Sequence, residues 1–394
     1  MDFLGKIITK TPTQPTTSVA GGVWTMQQVA RFKAAGTWPS PPPVRALFSW
    51  GKGYNGALGL GNTTYYSSPK QVGALTNWGG AFQSYSLNAI AFKQDGTLWS
   101  WGSNNYGQLG LGNTVNRSSP VQIGSLATWA TCAAGRDLSS AIKTDGTLWT
   151  FGSGQSGGLG LGNTTNYSSP KQVGALTAWS LVQSGNRFCI AIKTNGTLWS
   201  WGSGYLGKLG LGNTTYYSSP KQVGALTDWT QISSISKSSA AIRSNGTLWT
   251  WGYNYQGRLG LGDTAHRSSP TQVGALTNWA KVSMGFNSCA AIKTDGTLWS
   301  WGANYNGQLG LGNTTNYSSP KQVGALTTWS IAAAGRYFIS AIKTDGTLWI
   351  SGYNSNGQLG LGNTTSYSSP KQVGSLTTWV DIKNPSTAVL AIKS

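Results

Sequence analysis

Residues 133–173 read AAGRDLSSAIKTDGTLWTFGSGQSGGLGLGNTTNYSSPKQV and decide the fold. The apolar run AIK, the two-residue turn Asp145-Gly146 and the second run TLWTFG together predict a β-hairpin. In the second run Leu148 faces one way while Trp149 and Phe151 face the other, so both sides of the sheet must be covered. A glycine-rich turn and the extended stretch YSSPKQV follow, and another strand is predicted after Trp179. The segment therefore predicts about four short strands in about 50 residues.

This segment recurs along the chain at a fixed interval. The string LGLGN begins at Leu58, Leu109, Leu159, Leu209, Leu309 and Leu359, and its variant LGLGD begins at Leu259. One step is 51 residues and the others are 50, so residues 44–394 hold seven units. Stacking such units around an axis covers both faces of each sheet. The predicted fold class is all-β, a seven-bladed β-propeller.

The ends of the repeat region predict how the ring closes. Six hairpin turns are present, at residues 95–96, 145–146, 195–196, 245–246, 295–296 and 345–346. The first arm of the seventh hairpin is residues 391–394, AIKS, and its second arm is residues 45–50, RALFSW. We expect these arms to pair in one shared blade, because a closed ring leaves no exposed sheet edge.

At these motifs the chain resembles the regulator of chromosome condensation repeat family. The shared pattern is a glycine-led strand, the Asp-Gly turn, a Trp-Gly pair, GQLG and a later PxxV, and it extends over about 350 of the 394 residues. The resemblance implies a seven-bladed propeller. The kelch alternative fits less well, because its glycine doublet is lacking. The family often has a histidine before the Asp-Gly turn, whereas this chain has Leu138, Phe188 and Ser238 there.

Residues 1–43 form a separate N-terminal segment in this interpretation. Residues 11–18 are a Pro/Thr-rich linker, and a helix is predicted to begin with Thr25 as its cap, supported by Gln28 and a Trp24–Val29 contact, and to end near Gly36. Residues 21–39 resemble a short element of bacteriophage structural proteins. Neither a signal peptide nor a membrane span is expected. The predicted anchor residues are Phe3, Leu4, Ile7, Ile8, Trp24, Val29, Phe32 and Trp38.

The composition argues against most catalytic and metal sites. The chain has 28 Lys and Arg against 9 Asp, no glutamate and one histidine, His266, with a formal net charge of +19. Histidine and carboxylates carry most proton transfer and metal ligation, so no enzyme activity, cofactor or metal is expected. The three cysteines, Cys132, Cys189 and Cys289, match no zinc or redox spacing and are expected to be buried thiols.

Two sets of loop positions differ between otherwise similar units and are the predicted binding surface. Loop tyrosines and asparagines are typical of binding surfaces, although drift in unconstrained loops explains the variation equally well. The first set follows the Trp-Gly pair and contains Tyr54, Tyr106, Tyr205, Tyr255 and Tyr305. The second set follows LGLGN and contains Tyr66, Arg117, Tyr167, Tyr217, Arg267, Tyr317 and Tyr367.

Tryptophans and basic residues also recur in register. The tryptophan columns are expected to pack between blades. One basic residue follows the Ala-Ile or Ala-Phe pair in every unit, as at Lys143, and another follows the SSP proline in five units, as at Lys171. These rings either hold a polyanion or form a solvated face that prevents aggregation.

The sequence thus favours a non-enzymatic binding or structural propeller. The main hypothesis is a bacteriophage virion component, attached to virion proteins or a second copy through residues 1–43 and displaying the propeller to a host-surface glycan or protein. The alternative is a cytoplasmic propeller that binds a protein partner or chromatin, like relatives that promote guanine-nucleotide exchange. Nucleic acid is not an expected partner.

Overall fold

The computed structural model describes residues 26–34, 44–83, 88–384 and 387–394. The chain divides into two compact units, residues 1–43 and residues 44–394. In the first unit the described part is helix α1, Met26–Ala34. The predicted cap and six of the predicted anchors lie outside the described residues, whereas Val29 and Phe32 belong to α1. None of the helices in the described part of the chain is long and apolar enough to cross a membrane.

The second unit is a seven-bladed β-propeller, as predicted. Each blade is a four-stranded antiparallel sheet. The first three continuous blades are β3–β6 (Trp78–Gln83, Asn88–Lys93, Leu98–Gly102, Arg117–Gln122), β7–β10 (Trp129–Ala134, Leu138–Lys143, Leu148–Gly152, Tyr167–Gln172) and β11–β14 (Trp179–Ser184, Phe188–Lys193, Leu198–Gly202, Tyr217–Gln222). The next three are β15–β18 (Trp229–Ile235, Ser238–Arg243, Leu248–Gly252, Arg267–Gln272), β19–β22 (Trp279–Met284, Ser288–Lys293, Leu298–Gly302, Tyr317–Gln322) and β23–β26 (Trp329–Ala334, Phe338–Lys343, Leu348–Gly352, Tyr367–Gln372).

The seventh blade joins the two ends of the repeat region. It contains β1 (Ala46–Gly51), β2 (Tyr66–Gln71), β27 (Trp379–Lys383) and β28 (Ala388–Lys393), in the order β2-β1-β28-β27. The antiparallel β1–β28 ladder runs from Ala46 opposite Lys393 to Gly51 opposite Ala388. Leu47, Val389 and Leu390 are almost completely buried in this blade. The predicted closure by the split hairpin is therefore confirmed.

The core contains tryptophans that pack, together with Leu, Ile, Val and Ala, within a blade and against the blade before it. Trp179 lies edge-on to Trp199 and Trp201, with ring centroids 6.1 and 5.9 Å apart. The indole N–H of Trp201 donates a hydrogen bond to the backbone oxygen of Gly158 in the preceding blade, at 3.1 Å. The equivalent bond recurs from Trp101, Trp251 and Trp301. Two of the tryptophan columns, those of Trp179 and Trp201, are core residues as predicted, whereas the column of Trp149 and Trp199 is half-buried and packs against the core.

Both predicted rings of basic residues lie against aromatic side chains. Lys143 Nζ is 4.0 Å from the centroid of the Trp149 ring, and Lys193 Nζ is 3.6 Å from that of Trp199. On the outermost strands, Lys171 Nζ is 5.6 Å from the Tyr167 ring centroid. Cation–π contacts of this kind stabilise the fold in each unit that has them. The rings thus have a packing role that neither sequence interpretation included.

Candidate binding face

The antiparallel strand order brings two kinds of loop to the same side of the ring. The first strand of each blade is innermost, because the residues that line the central cavity, such as Ser184 and Ser234, come from these strands. The turn between the first and second strands, residues 135–137 in one blade, lies at the same end as the loop between the third and fourth strands, residues 153–166. We call this side the tyrosine face. The opposite side, with the Asp-Gly turns and the exposed Leu226, is the hairpin face.

The first predicted set of tyrosines lies on the tyrosine face and is exposed to solvent. The exposed fractions of Tyr54, Tyr106, Tyr205, Tyr255 and Tyr305 are 55, 41, 53, 54 and 56%. Three of them, Tyr205, Tyr255 and Tyr305, occupy equivalent positions in adjacent blades. The Gln256 side chain donates a hydrogen bond to the Tyr305 hydroxyl, which links two neighbouring loops. The structure thus brings three aromatic side chains together along one arc.

Buried asparagines hold several of these loops in place. The Asn304 side chain is fully buried, donates to the backbone oxygen of Asn313 at 3.0 Å and accepts from the backbone N–H of Leu309 at 2.9 Å. Asn104, Asn254 and Asn354 make equivalent contacts. Where a unit has glycine instead, as at Gly204, a Cβ would lie 2.0 Å from the Thr215 oxygen. The Asn or Gly at this position therefore shapes the loop, and the ring of the adjacent tyrosine remains exposed.

The second predicted set lies at the start of the outermost strands, where it is half-buried. Tyr167 packs against the core of its blade, and its hydroxyl accepts a hydrogen bond from Asn163 at 3.4 Å. The same arrangement holds at Tyr66, Tyr217, Tyr317 and Tyr367. In one of the two remaining units Arg267 forms an ion pair with Asp263; in the other the residue is Arg117. These tyrosines brace the outer wall, and the strand that begins at Tyr317 contacts the Tyr255–Gly257 turn of the preceding blade, so this end of the wall adjoins the exposed arc.

Basic residues near the arc were missed by the sequence interpretation. Lys208 and Arg258 replace the glutamine of GQLG in two adjacent units, and they are only 3 and 2% exposed. Lys208 Nζ donates to the Asn186 oxygen at 2.7 Å and lies 5.0 Å from the Phe188 ring centroid. Burial, and then the nearby Arg187 and Lys237, lower the pKa of Lys208 to about 7. The sequence feature that could have revealed these residues is the change from a neutral Gln to a cation, which occurs in these two units.

His266 has a structural contact on this face. Its Nδ1 accepts a hydrogen bond from the backbone N–H of Asn254 at 3.1 Å, as the side-chain oxygen of Asn316 does for Asn304 at 2.7 Å. The imidazole centroid is 4.8 Å from that of Tyr253, and burial followed by Arg258 lowers the pKa of His266. The histidine thus serves as the loop acceptor that Asn supplies in other units.

The described residues offer little material for a reactive site. They include no group of three or more His, Cys, Asp or Glu side chains that could hold a metal ion. Cys132, Cys189 and Cys289 are buried free thiols, and burial raises the pKa of Cys189 to about 12. A central cavity of about 180 Å³ is lined largely by small residues of the innermost strands. Its size suits solvent or a small molecule and excludes a folded partner.

Sequence comparison identifies the repeat. The model of the regulator of chromosome condensation (RCC1) repeat matches residues 46–81, 95–142, 145–192, 195–242, 245–292, 295–342 and 345–384. The chain belongs to the RCC1 repeat family. Six of these matches begin at the turn between the second and third strands of a blade and continue into the next blade, and five of the six extend through both of its inner strands. An RCC1 repeat here therefore supplies the two outer strands of one blade and the two inner strands of the next, which is why the ring closes with a shared blade.

Curated relatives match only over short stretches. The chain is 35% identical over 82 residues to the Arabidopsis thaliana ultraviolet-B receptor UVR8, 34% identical over 93 residues to mouse protein RCC2, and 36% identical over 83 residues to the human E3 ubiquitin-protein ligase HERC2. These matches cover 20, 22 and 20% of this chain, and 18, 18 and 2% of the relatives. The matched region thus spans less than a fifth of each relative's length.

Solved structures match over nearly the whole propeller. Human WBSCR16 superimposes with a TM-score of 0.78 at 20% identity, covering 89% of this chain and 99% of that one. Prp20p from Saccharomyces cerevisiae superimposes with a TM-score of 0.79 at 19% identity, covering 90% of this chain and 92% of that one. At these identities the likeness establishes the fold alone.

Proposed function

We propose that this chain is a non-enzymatic protein-binding propeller and that its partner docks on the tyrosine face. The observation that carries the proposal is the arc of Tyr205, Tyr255 and Tyr305, each more than half exposed, with buried Asn254 and Asn304 fixing the loops of the last two. Tyrosine supplies a large contact area at a low entropic cost and is enriched among the residues that dominate binding energy. A rigid arc of three such side chains is suited to a protein surface.

The relatives support the protein-binding alternative over the virion hypothesis. The structure of Prp20p is described together with its binding properties to Gsp1p and histones, and a second structure shows Kap60 bound to yeast RCC1 (Prp20). The virion hypothesis rests on the resemblance of residues 21–39, of which only Met26–Ala34 is described, and the relatives give it no support. Ligase activity is not part of the proposal, because the match to HERC2 spans 2% of that protein.

Site-specific photo-cross-linking in the native host tests the proposal. A benzophenone amino acid at position 255 should capture a protein partner, whereas the same probe at Leu276 on the hairpin face, which is 46% exposed, should not. The matched variants are the triple replacement Tyr205→Ser, Tyr255→Ser, Tyr305→Ser and the hairpin-face triple replacement Leu226→Ser, Leu276→Ser, Leu326→Ser.

In these variants a probe at Leu206, within the same arc, reports the partner. We expect the tyrosine triple variant to lose the cross-linked partner and the leucine triple variant to keep it. Equal capture from both faces, or capture that survives loss of the three tyrosines, would contradict the proposal.

A further inference from the structure

One sector of the tyrosine face carries a cluster of positive charge. Arg187 and Lys237 lie in the turns between the first and second strands of adjacent blades, and Lys208 and Arg258 lie in the long loops of the same two blades. Arg187 and Lys237 are close enough to Lys208 to lower its pKa by repulsion, after the larger effect of burial. Tyr205 and Tyr255 belong to the same long loops. Four cations therefore gather beside two exposed tyrosines.

No carboxylate of the chain neutralises this cluster within the described residues. The four ion pairs found there join Arg136 to Asp137, Arg243 to Asp228, Arg267 to Asp263 and Lys383 to Asp381. None includes a cation of the sector. Lys208 and Arg258 donate instead to neutral oxygens, and Arg187 Nε is buried without an acceptor. The sector thus keeps an uncompensated charge of about +4 at pH values below the pKa of Lys208.

Other units have a neutral glutamine at the position of Lys208 and Arg258, which shows that these charges are not needed to build the loop. Gln308 occupies the position of Lys208 in another unit, and its side-chain oxygen accepts from the backbone N–H of Asn306 at 2.9 Å. Gln108 and Gln358 make the same contact. Burying an unpaired cation costs free energy that a neutral glutamine avoids. A binding partner of opposite charge would offset this cost.

Aromatic rings hold the charges in position. Tyr253 lies between two cations, with its ring centroid 5.1 Å from Lys237 Nζ and 4.6 Å from the Arg258 guanidinium carbon. Arg258 is also bonded to the Asn287 side chain at 2.8 Å, which ties it to the neighbouring blade. Side chains that are already ordered lose little entropy when a ligand binds. The sector is therefore preorganised for an anion.

We propose that this sector binds an acidic segment of the protein partner, with Asp or Glu carboxylates contacting Arg187 and Lys237 while Tyr205 and Tyr255 pack against the adjoining residues. This inference rests on the proposed function and names the chemistry of the partner. The arrangement favours a short acidic peptide over nucleic acid, because the four cations lie in two adjacent blades, and beyond them the positive charge among the described residues continues only to Arg336, whose guanidinium carbon lies 5.2 Å from the Phe286 ring centroid. Neutral Gln308 and the Arg267–Asp263 ion pair border the cluster. A nucleic acid needs a longer positive track along its phosphates.

Fluorescence anisotropy with a labelled octaglutamate peptide tests the inference on the full chain. The probes for comparison are a neutral Gly-Ser octapeptide and a single-stranded oligonucleotide of equal charge. The test variant is Arg187→Gln with Lys237→Gln, and Lys237→Gln alone leaves the left-handed backbone at Arg187 (φ 60°) untouched. The matched control is Lys221→Gln with Lys321→Gln, which removes the same charge from exposed positions of the outermost strands.

We expect the double test variant to weaken octaglutamate binding by about tenfold or more and the single variant by about threefold, because charge-assisted hydrogen bonds are lost. The control pair should change the affinity by less than about twofold, since exposed charges are screened. Equal losses in test and control variants, absence of octaglutamate binding, or preferential binding of the oligonucleotide would each overturn the inference.

The same variants separate the inference from the proposed function. If the cross-link from position 255 persists undiminished in the Arg187→Gln, Lys237→Gln variant, the acidic-segment inference is wrong while the protein-binding function stands. If wild-type protein gives no cross-link from position 255, the proposed function itself is wrong.

Discussion

Replacing Lys208 with methionine should change how the stability of the propeller depends on pH. Burial lowers the pKa of Lys208 to about 7 in the folded chain, against an ordinary value of 10.5. Between these values the unfolded chain binds a proton that the folded chain has released. The free energy of unfolding therefore rises with pH across this window. The buried lysine destabilises the folded chain most below pH 7, where it is protonated in both states. Methionine keeps a long apolar side chain and removes the titrating group.

The size of the effect follows from the two pKa values. For a folded-state pKa of about 7, the lysine contributes a rise of roughly 1.5 kcal/mol in the free energy of unfolding between about pH 7 and pH 8.5, at 1.36 kcal/mol per unit of differential proton binding. Above about pH 9 the thiols add an opposite trend, because burial raises the pKa of Cys189 to about 12 and an unfolded thiolate forms first. Subtracting the variant from the wild type removes this thiol contribution.

Urea unfolding followed by tryptophan fluorescence at several pH values from 6 to 8.5 measures the difference. The wild type should gain stability relative to Lys208→Met as the pH rises. Lys171→Met, at an exposed position of β10, controls for the loss of one positive charge. Parallel curves for wild type and Lys208→Met would refute the reasoning and indicate that Lys208 titrates alike in both states.

Three further predictions concern the fold. Removing residues 385–394 deletes β28, the strand between β1 and β27, so cooperative thermal melting should be lost; an unchanged melting temperature would contradict closure of the ring by this strand. The buried thiols of Cys132, Cys189 and Cys289 should react with a thiol reagent only after unfolding, and non-reducing mass spectrometry should show no disulfide; rapid labelling of the native chain would be the contrary result. Deleting residues 1–43 should leave a folded, monomeric propeller that no longer attaches to virion proteins or to a second copy. Normal incorporation of the shortened chain would count against the predicted anchor role of residues 1–43.

The repeat made most of the architecture predictable. A hairpin signal such as Asp145-Gly146 is local, and its absence at one place predicted that residues 391–394 and 45–50 would pair in a shared blade. In the structure they do, with Leu47 opposite Ile392. The fold could be predicted from the repeat together with the requirement that both faces of each sheet be covered. This was sufficient because each unit packs against the same kind of neighbour.

The candidate site was less predictable, because residues of one type occupy different environments within a unit. Tyr205 and Tyr217 are both loop tyrosines in the sequence, yet Tyr217 begins a strand and packs against the Phe188, Ile190 and Leu209 cluster while Tyr205 is exposed. In three other units Gln108, Gln308 and Gln358 occupy the position of Lys208. Nothing in the neighbouring sequence indicates that this position is buried. Burial of this kind depends on contacts with the next blade, such as the hydrogen bond between Trp251 and the Lys208 oxygen.

Because the two ends of the repeat region pair in one blade, the same sheets can form with the chain termini at a different blade. We call the present junction of Val44 and Ser394 the seam. Lys393 lies opposite Ala46, in the place where the other blades have a two-residue turn, so a short linker from Ser394 to Val44 would complete a seventh ordinary hairpin. The chain could then be opened at another turn, such as Asn245-Gly246, to give a circular permutant with the same sheets. In the natural arrangement the seam lies on the hairpin face, where Arg45 bonds to the Thr76 oxygen at 2.6 Å. Fusions or surface tethers attached at the seam would therefore leave the tyrosines on the other side unobstructed.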